Sequence, residues 1–313
     1  MKKITGLFLC TMIVAALLSC GGVSYKKTKG GMPYKVFSKG NGQPIDTGSL
    51  IKLNLRRLLN DSLLVDTYDK LSFYFPINQY KAPYDISEIW FDLKEGDSIV
   101  TIQLIDTFMR RDPGGVPPIF KKGDRLITHF KIEKIFKNDS ASWADQQAQM
   151  EDLRKREVEE VGAYLKKKNI NAIKTKSGAY VEILEPGAGI DIDSGITAST
   201  LYKGTSFSGK VFDSSYDSAF GHPGPTPFKI GMAGQPGGLT KGFDEAMMEL
   251  KKGSKARFYI PSMLAYGPQP PSPDIKQFEH LIFEVQIVDA KPTVADKAQL
   301  PASGHGPGDG HQH

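Results

Sequence analysis

The segment DLKEGDSIVTIQL at residues 92–104 returns in altered form as ELKKGSKARFYIP at 249–261. The stretch just upstream repeats as well: YDISEIWFDLKEG (84–96) matches KGFDEAMMELKKG (241–253) without a gap. Further on, RLITHFKIEKI (125–135) lines up with EHLIFEVQIVD (279–289). Repeats of about 110 residues are duplicated domains rather than solenoid units. The 313 residues accommodate two such domains, each long enough to bury its own core. Each copy reads as several strands, one short helix (around 242–251 in the second) and more strands. That order predicts an α+β fold, an antiparallel sheet wrapped around a short helix, made twice.

Between the copies lies a charged stretch, QMEDLRKREVEEV. Met150, Leu153, Val158, Val161 and Leu165 fall on one face at helical spacing. Ser142 to Asp145 reads as a capping box, and Asn169 as a stop. The expected plan is a signal segment at 1–19, a flexible tether at 20–32 and a first domain at 33–138. A connecting helix at 139–169, a second domain at 170–291 and a polar tail at 292–313 follow. The apolar stripe of the helix suits packing on its own domain or pairing in a homodimer.

The N-terminus carries Lys2 and Lys3, an apolar run, and then Leu-Leu-Ser-Cys20 followed by glycines. A basic start, an apolar core and small residues form a secretory signal. The ending resembles the bacterial lipoprotein box, which makes Cys20 the lipidated first residue of the mature chain; an ordinary cleaved signal is the other reading. Cys10 lies inside the signal, so the mature chain holds one cysteine and no internal disulfide. These features imply an envelope protein anchored in the membrane through lipid on Cys20. The tether has no acidic run, which suits the periplasmic face of the outer membrane. The net charge of +5 falls to +3 without the two signal lysines, too little and too dispersed for nucleic acid.

Two stretches carry the candidate chemistry. GKVFDSS (209–215) sets a ring beside a carboxylate, downstream of a tyrosine-bearing LYKG. DSLLVDTY (61–68) looks like a hollowed version of it. Among other constellations, the histidines cluster only in the tail GHGPGDGHQH, read as a disordered polar segment. The Gly-rich AGQPGG (233–238) lacks the Lys-Ser/Thr ending of a phosphate-binding loop and reads as a turn. No Ser-His-Asp set and no metal-ligand spacing appears, so no metal or other cofactor is expected.

In order and spacing, residues 178–291 resemble the FKBP-type peptidyl-prolyl isomerases. The resemblance runs through GAYVEILEPGAG, LYKG, GKVFDSS, PFKI, LTKGFDEAM, IPSMLAYG and HLIFEVQIV. It implies catalytic roles for Tyr202, Phe212, Asp213 and Tyr266, with the Tyr266 hydroxyl as a donor. It implies substrate contacts from Phe228, Leu239, Thr240, Phe243, Ile275 and Phe283. The sequence departs from the family in a longer loop after Phe212-Asp213 (YDSAFGHPGPT, with His222), a two-residue excess around Gln235–Gly238, Thr240 in place of Ile, and GPQPPSPDIKQFE after Tyr266. That last loop shapes substrate preference in the family. The first copy keeps the frame and loses the lining: Leu55 is expected at the place of Tyr202, Val65 at that of Phe212, Asp66 at that of Asp213, Ile86 at that of Phe243, Met109 at that of Tyr266, and Phe130 at that of Phe283.

Rotation about an X-Pro bond needs no nucleophile. The barrier is amide resonance, ~18–20 kcal/mol in ordinary amides, and a dry apolar cup favours the twisted state over the planar polar one. Asp213 is accordingly expected to accept a hydrogen bond from Tyr202 and hold the pocket edge; the simpler reading is a cap on the Ser214-Ser215 turn. Asp66 reads as a turn residue. Phe243 and Phe283 suit either the pocket or plain core. The expected activity is prolyl isomerisation on proline-containing polypeptides, assisting folding of envelope proteins. The competing reading is a non-enzymatic chaperone or assembly lipoprotein that keeps the fold as a platform. An accessible concave pocket around Tyr202, Phe212, Asp213 and Tyr266 is expected in 178–290, with no equivalent in 33–137.

Overall fold

The computed structural model describes residues 25–38 and 41–293. The signal segment, Cys20 and the His-containing tail lie outside these residues. The chain divides into two compact units, the first ending at Met150 and the second beginning at Glu151.

The first unit runs β1 (Lys26–Lys27), β2 (Pro33–Phe37), β3 (Leu50–Leu59), β4 (Ser62–Asp66) and β5 (Phe73–Pro76), then a 3-10 helix at Ile86–Asp92. It continues with β6 (Ser98–Leu104), α1 (Ile105–Arg111) and β7 (Arg125–Phe136). Its described strands form one antiparallel sheet in the order β1-β2-β6-β7-β3-β4, with β5 also paired to β3. The 3-10 helix packs Ile86, Ile89 and Trp90 into a core with Ile51, Ile99 and Ile132. Burying one such side chain contributes about 1.5–3 kcal/mol.

The second unit repeats the scheme: β8 (Ile173–Lys174), β9 (Tyr180–Glu185), β10 (Ile196–Ser206), β11 (Val211–Ser214), β12 (Thr226–Lys229), α3 (Lys241–Met247), β13 (Lys255–Ile260) and β14 (Leu281–Pro292). Its sheet order is β8-β9-β13-β14-β10-β11, with β12 on β10. The expected α+β fold, made twice, is present.

The duplication extends further toward the N-terminus than the sequence suggests. In the first unit Glu88 accepts hydrogen bonds from Thr28 Oγ1 (2.8 Å), Gly30 N (2.6 Å) and Tyr84 N (2.7 Å). In the second, Glu245 accepts from Thr175 Oγ1 (3.0 Å), Ser177 N (2.8 Å) and Ser177 Oγ (2.5 Å). Both clamps fasten a tight turn in which Met32 N or Ala179 N donates to the threonine hydroxyl at 3.1 Å. Residues 25–32 are therefore part of the first unit's fold and not tether; Met32 is fully buried.

The long helix α2 (Asp139–Lys167) begins three residues before the expected box. Ala141 N donates to Asn138 Oδ1 at 2.9 Å, so Asn138 caps it. Ser142 is internal and donates back to Asp139 O. Asp145 is spent on Lys52 Nζ and Tyr74 Oη, at 2.7 and 2.5 Å. Asn169 ends the helix as expected, with φ 55°. Ile170 N donates to Leu165 O and Asn169 N to Lys166 O, the Schellman pattern. The helix is not a free connector. Val158 joins the main core of the second unit, and Val161 and Leu165 pack on Tyr259. Those three residues of its apolar face are covered within the second unit.

Candidate active site

In β10 the side chains alternate, and Tyr202 and Gly204 face inward. In β11 two adjacent residues reach the same face, which a regular strand forbids. The register explains it: Gly204 pairs with Asp213 and Thr205 with Val211, so Phe212 is the extra residue of a β-bulge. Gly204 must lack a side chain, because a Cβ there would stand 2.6 Å from Phe212 Cζ and 3.0 Å from Phe283 Cε1.

Five rings then form one continuous arc. Tyr202 and Phe228 have centroids 5.6 Å apart, and Phe228 meets Phe243 at 5.5 Å. Phe243 meets Phe283 at 4.9 Å, and Phe283 meets Phe212 at 5.5 Å, both edge to face. Phe243 and Phe283 are buried, whereas Phe212 and Phe228 are half-buried. Ile275 is buried in the same cluster, and Leu239 and Tyr266 pack on it half-buried. Thr240 is the N-cap of α3, yet its side chain makes no capping bond.

Asp213 Oδ2 accepts the Tyr202 hydroxyl at 2.7 Å, the bond expected from the sequence. Its other oxygen is also engaged: His222 Nε2 stands 2.9 Å from Oδ1. The turn that follows is held instead by Tyr216 N donating to Ser214 Oγ. His222 comes from the loop insertion, and its ring stacks on Tyr202 with centroids 6.1 Å apart. Its engagement corrects the expected accessibility of Tyr202, which is 7% exposed between His222 and Phe228.

Burial raises the Tyr202 phenol well above its ordinary range, and the hydrogen bond to Asp213 raises it further. Burial also raises Tyr266, with the Asp213 charge adding to it. Both phenols therefore stay protonated through the neutral range. Tyr266 differs in that its hydroxyl has no hydrogen-bond partner among the described residues. It is an O–H donor at the edge of an aromatic arc.

Two residues outside the motifs hold the frame. Asp244, 3% exposed, accepts from Gly231 N (3.0 Å) and Ala233 N (3.1 Å), tying the loop before Leu239 to α3. Glu157 of α2, fully buried, accepts from Ser262 Oγ (2.6 Å) and Met263 N (2.8 Å), fixing the turn that leads to Tyr266. The second domain thus needs helix residues upstream of 170. No motif announces either carboxylate; a Glu among charged helix residues looks like solvated surface.

In the first unit the register corrects three expected correspondences. Arg57 pairs with Val65 and Leu58 with Leu63, so Leu64 is the bulged residue. Leu64 therefore stands at the Phe212 place and Val65 at the Asp213 place. Asp66 lies one step further, where it pairs with Arg56 and accepts from Tyr68 N, as a turn residue does. Thr101 pairs with Thr128 where Phe258 pairs with Phe283, so Thr128, not Phe130, holds the Phe283 place. Leu55, Ile86 and Phe130 instead line an apolar cavity of about 300 Å³, which overturns the expectation that the first unit has no equivalent pocket. Met109 sits on α1 and does not line it.

Comparison with known proteins agrees with this architecture. The family model described as "FKBP-type peptidyl-prolyl cis-trans isomerase" matches residues 190–288. FK506-binding protein 1A of Neurospora crassa is 34% identical over 115 residues, covering 36% of this chain and 89% of that protein. The FKBP-type peptidyl-prolyl cis-trans isomerase FkpA of Escherichia coli K12 is 31% identical over 150 residues, 48% of either chain. The peptidyl-prolyl cis-trans isomerase Mip of Coxiella burnetii is 33% identical over 125 residues, 40% of this chain and 50% of that one. The chain thus spans about half the length of the two bacterial relatives. With nearly the whole of a compact relative matched, and the ring arc in the matched region, the chain belongs to the FKBP-type peptidyl-prolyl cis-trans isomerase family.

Proposed function

We propose that the second unit is a prolyl isomerase working through the arc of Tyr202, Phe228, Phe243, Phe283 and Phe212. The observation that carries this reading is the unpartnered Tyr266 hydroxyl beside that arc. A prolyl ring enters among the half-buried rings, with Ile275 and Leu239 completing the apolar wall. Tyr266 donates to a substrate carbonyl and fixes its orientation, and Thr240 and Leu239 offer backbone contacts. Asp213 takes no proton. It holds Tyr202, and through it the pocket edge.

The rate gain comes from desolvation. The planar amide is more polar than the twisted one and loses more on leaving water, so the apolar wall binds the twisted state better. A ~10⁴-fold acceleration corresponds to about 5.5 kcal/mol of such differential binding. No group on the protein is consumed, and the reaction needs no cofactor.

The substrates in this reading are proline-containing polypeptides of the cell envelope. The signal-like start and the Leu-Leu-Ser-Cys20 box support a lipid anchor on Cys20 and a place on the periplasmic face of the outer membrane. Metabolic labelling with a palmitate analogue tests the anchor: label is expected on the wild type and absent from Cys20→Ala. Isomerisation itself is tested on the full chain with Xaa-Pro peptides by NMR exchange. Exchange above background that collapses in Phe212→Ala is the expected result. A folded chain that leaves the exchange at background overturns the proposal in favour of a binding platform.

A further inference from the structure

The first unit's cavity differs from the isomerase arc in one exchange of volume. At the place of Gly204 on β10 stands Arg57 of β3. Around it the rings have shrunk, with Leu64 at the place of Phe212 and Thr128 at the place of Phe283. Arg57 fills the space they vacate, and its Nε donates to Thr128 Oγ1 at 3.1 Å, with Thr128 fully buried. Where the second unit presents two edge-to-face rings, the first presents a half-buried guanidinium inside an apolar wall of Leu53, Leu55, Phe75, Trp90 and Phe130.

That guanidinium is under-occupied. Beyond the bond to Thr128, its terminal amino groups have no hydrogen-bond or ion-pair partner among the described residues. Asp85 also lines the cavity, but its Oδ1 accepts from Ser87 N at 2.8 Å and it caps the 3-10 helix without a direct ion pair to Arg57. Gln103 is spent on Tyr84 O. A cation withdrawn from water without a close counter-ion is costly. A carboxylate received on the two open amino groups offsets that cost with a forked pair of charge-assisted hydrogen bonds.

We propose that this cavity is a binding site for the C-terminal end of a polypeptide whose last residue is apolar, with the carboxylate on Arg57 and the side chain against Trp90, Phe75 and Phe130. The volume of about 300 Å³ suits one side chain with its carboxylate and not a run of residues. The rest of the chain has a place to go. Phe73 and Phe75, 49% and 47% exposed, stand on one face of β5 at the mouth. Among the described strands β5 pairs only with β3, which leaves its other edge for an extended peptide.

The test uses the full chain carrying Trp143→Phe, so that Trp90 is the one remaining tryptophan. Its emission is titrated with N-acetyl-Ala-Leu-Phe as the free acid, with the same peptide as the C-terminal amide, and with phenylacetate. The free acid is expected to bind at least tenfold more tightly than the amide and than phenylacetate. That preference is expected to vanish in Arg57→Met and to persist in Phe212→Ala, which places the site in the first unit. Equal binding of acid and amide, or no response to either, overturns the proposal. Phenylacetate binding as tightly as the peptide overturns the polypeptide end in favour of a small carboxylate. If Arg57→Met fails to fold, as judged by its melting curve, the acid–amide comparison on the parent chain still decides.

Discussion

His222 Nε2 and Asp213 Oδ1 stand 2.9 Å apart, and the same carboxylate takes the Tyr202 hydroxyl on its other oxygen. An inserted loop thereby shares the carboxylate that holds Tyr202 at one end of the aromatic arc. Because the pair is about 43% and 33% exposed, its contribution to stability is small. His222→Ala is expected to shift melting by less than about 3 °C. It is expected to change kcat/KM on Xaa-Pro peptides by roughly two- to fivefold, through a Tyr202 ring that has lost one of its two neighbours. Asp213→Ala removes the anchor of both rings and is expected to cost more activity than His222→Ala in the same assay.

Tyr266→Phe removes one unpartnered hydroxyl and nothing else. Stability is expected to stay within about 0.5 kcal/mol, while kcat/KM falls about tenfold, the value of one hydrogen bond made to substrate. An unchanged rate would remove Tyr266 from the mechanism.

Gly204→Ala places a methyl 2.6 Å from Phe212 Cζ. The Phe212 ring has to leave its bulge position, since β10 is held by hydrogen bonds to strands on both sides. Overpacking of this kind costs about 1–3 kcal/mol. Denaturant melts are expected to show that loss, and the isomerisation rate is expected to fall toward that of Phe212→Ala.

Glu157→Ala strips both acceptors from the turn before Tyr266 and leaves the buried Ser262 Oγ and the half-buried Met263 N without that partner. The expected cost is about 2–4 kcal/mol. For the same reason a fragment starting at residue 170 is expected to be far less stable than one starting at 139, which thermal melts of the two would show.

The two clamps give the fold a pH dependence. Burial pushes Glu88 and Glu245 upward, but the hydrogen bonds they accept outweigh it and both carboxyls lie below the ordinary 4.5. A depressed carboxyl adds stability that is fully present above its unfolded value and is lost as pH falls through the folded one. Melting temperature is therefore expected to be flat from pH 7 to about 5 and to drop below about 4.5. Glu245→Gln is expected to lower the plateau and flatten the drop for the second unit.

The second unit's ring set was legible through the family resemblance of its motifs, and the structure brings Tyr202, Phe228, Phe243, Phe283 and Phe212 into one arc. The first unit's was misread by one residue on β4 and by two on β7. Leu63, Leu64 and Val65 carry no alternation, so nothing in the letters reveals which of them is bulged, and a neighbouring Asp66 offered a false anchor. A slip of one residue in β4 reverses its faces. Arg57 lies on β3, where Leu55 does stand at the Tyr202 place, and it escaped notice because a lone arginine in a strand reads as solvated surface. His222 was invisible for another reason: an insertion has no counterpart from which a position can be carried over. The clamps escaped notice because Thr, Ser and Gly near a chain start read as linker.

The exchange at Gly204 and Arg57 couples neighbouring positions. Restoring a phenylalanine at Leu64 meets the arginine stem, and removing the stem first opens a void beneath a buried Thr128. Neither substitution alone converts the first unit's cavity into a ring arc: the positions of Leu64, Arg57 and Thr128 have to change together.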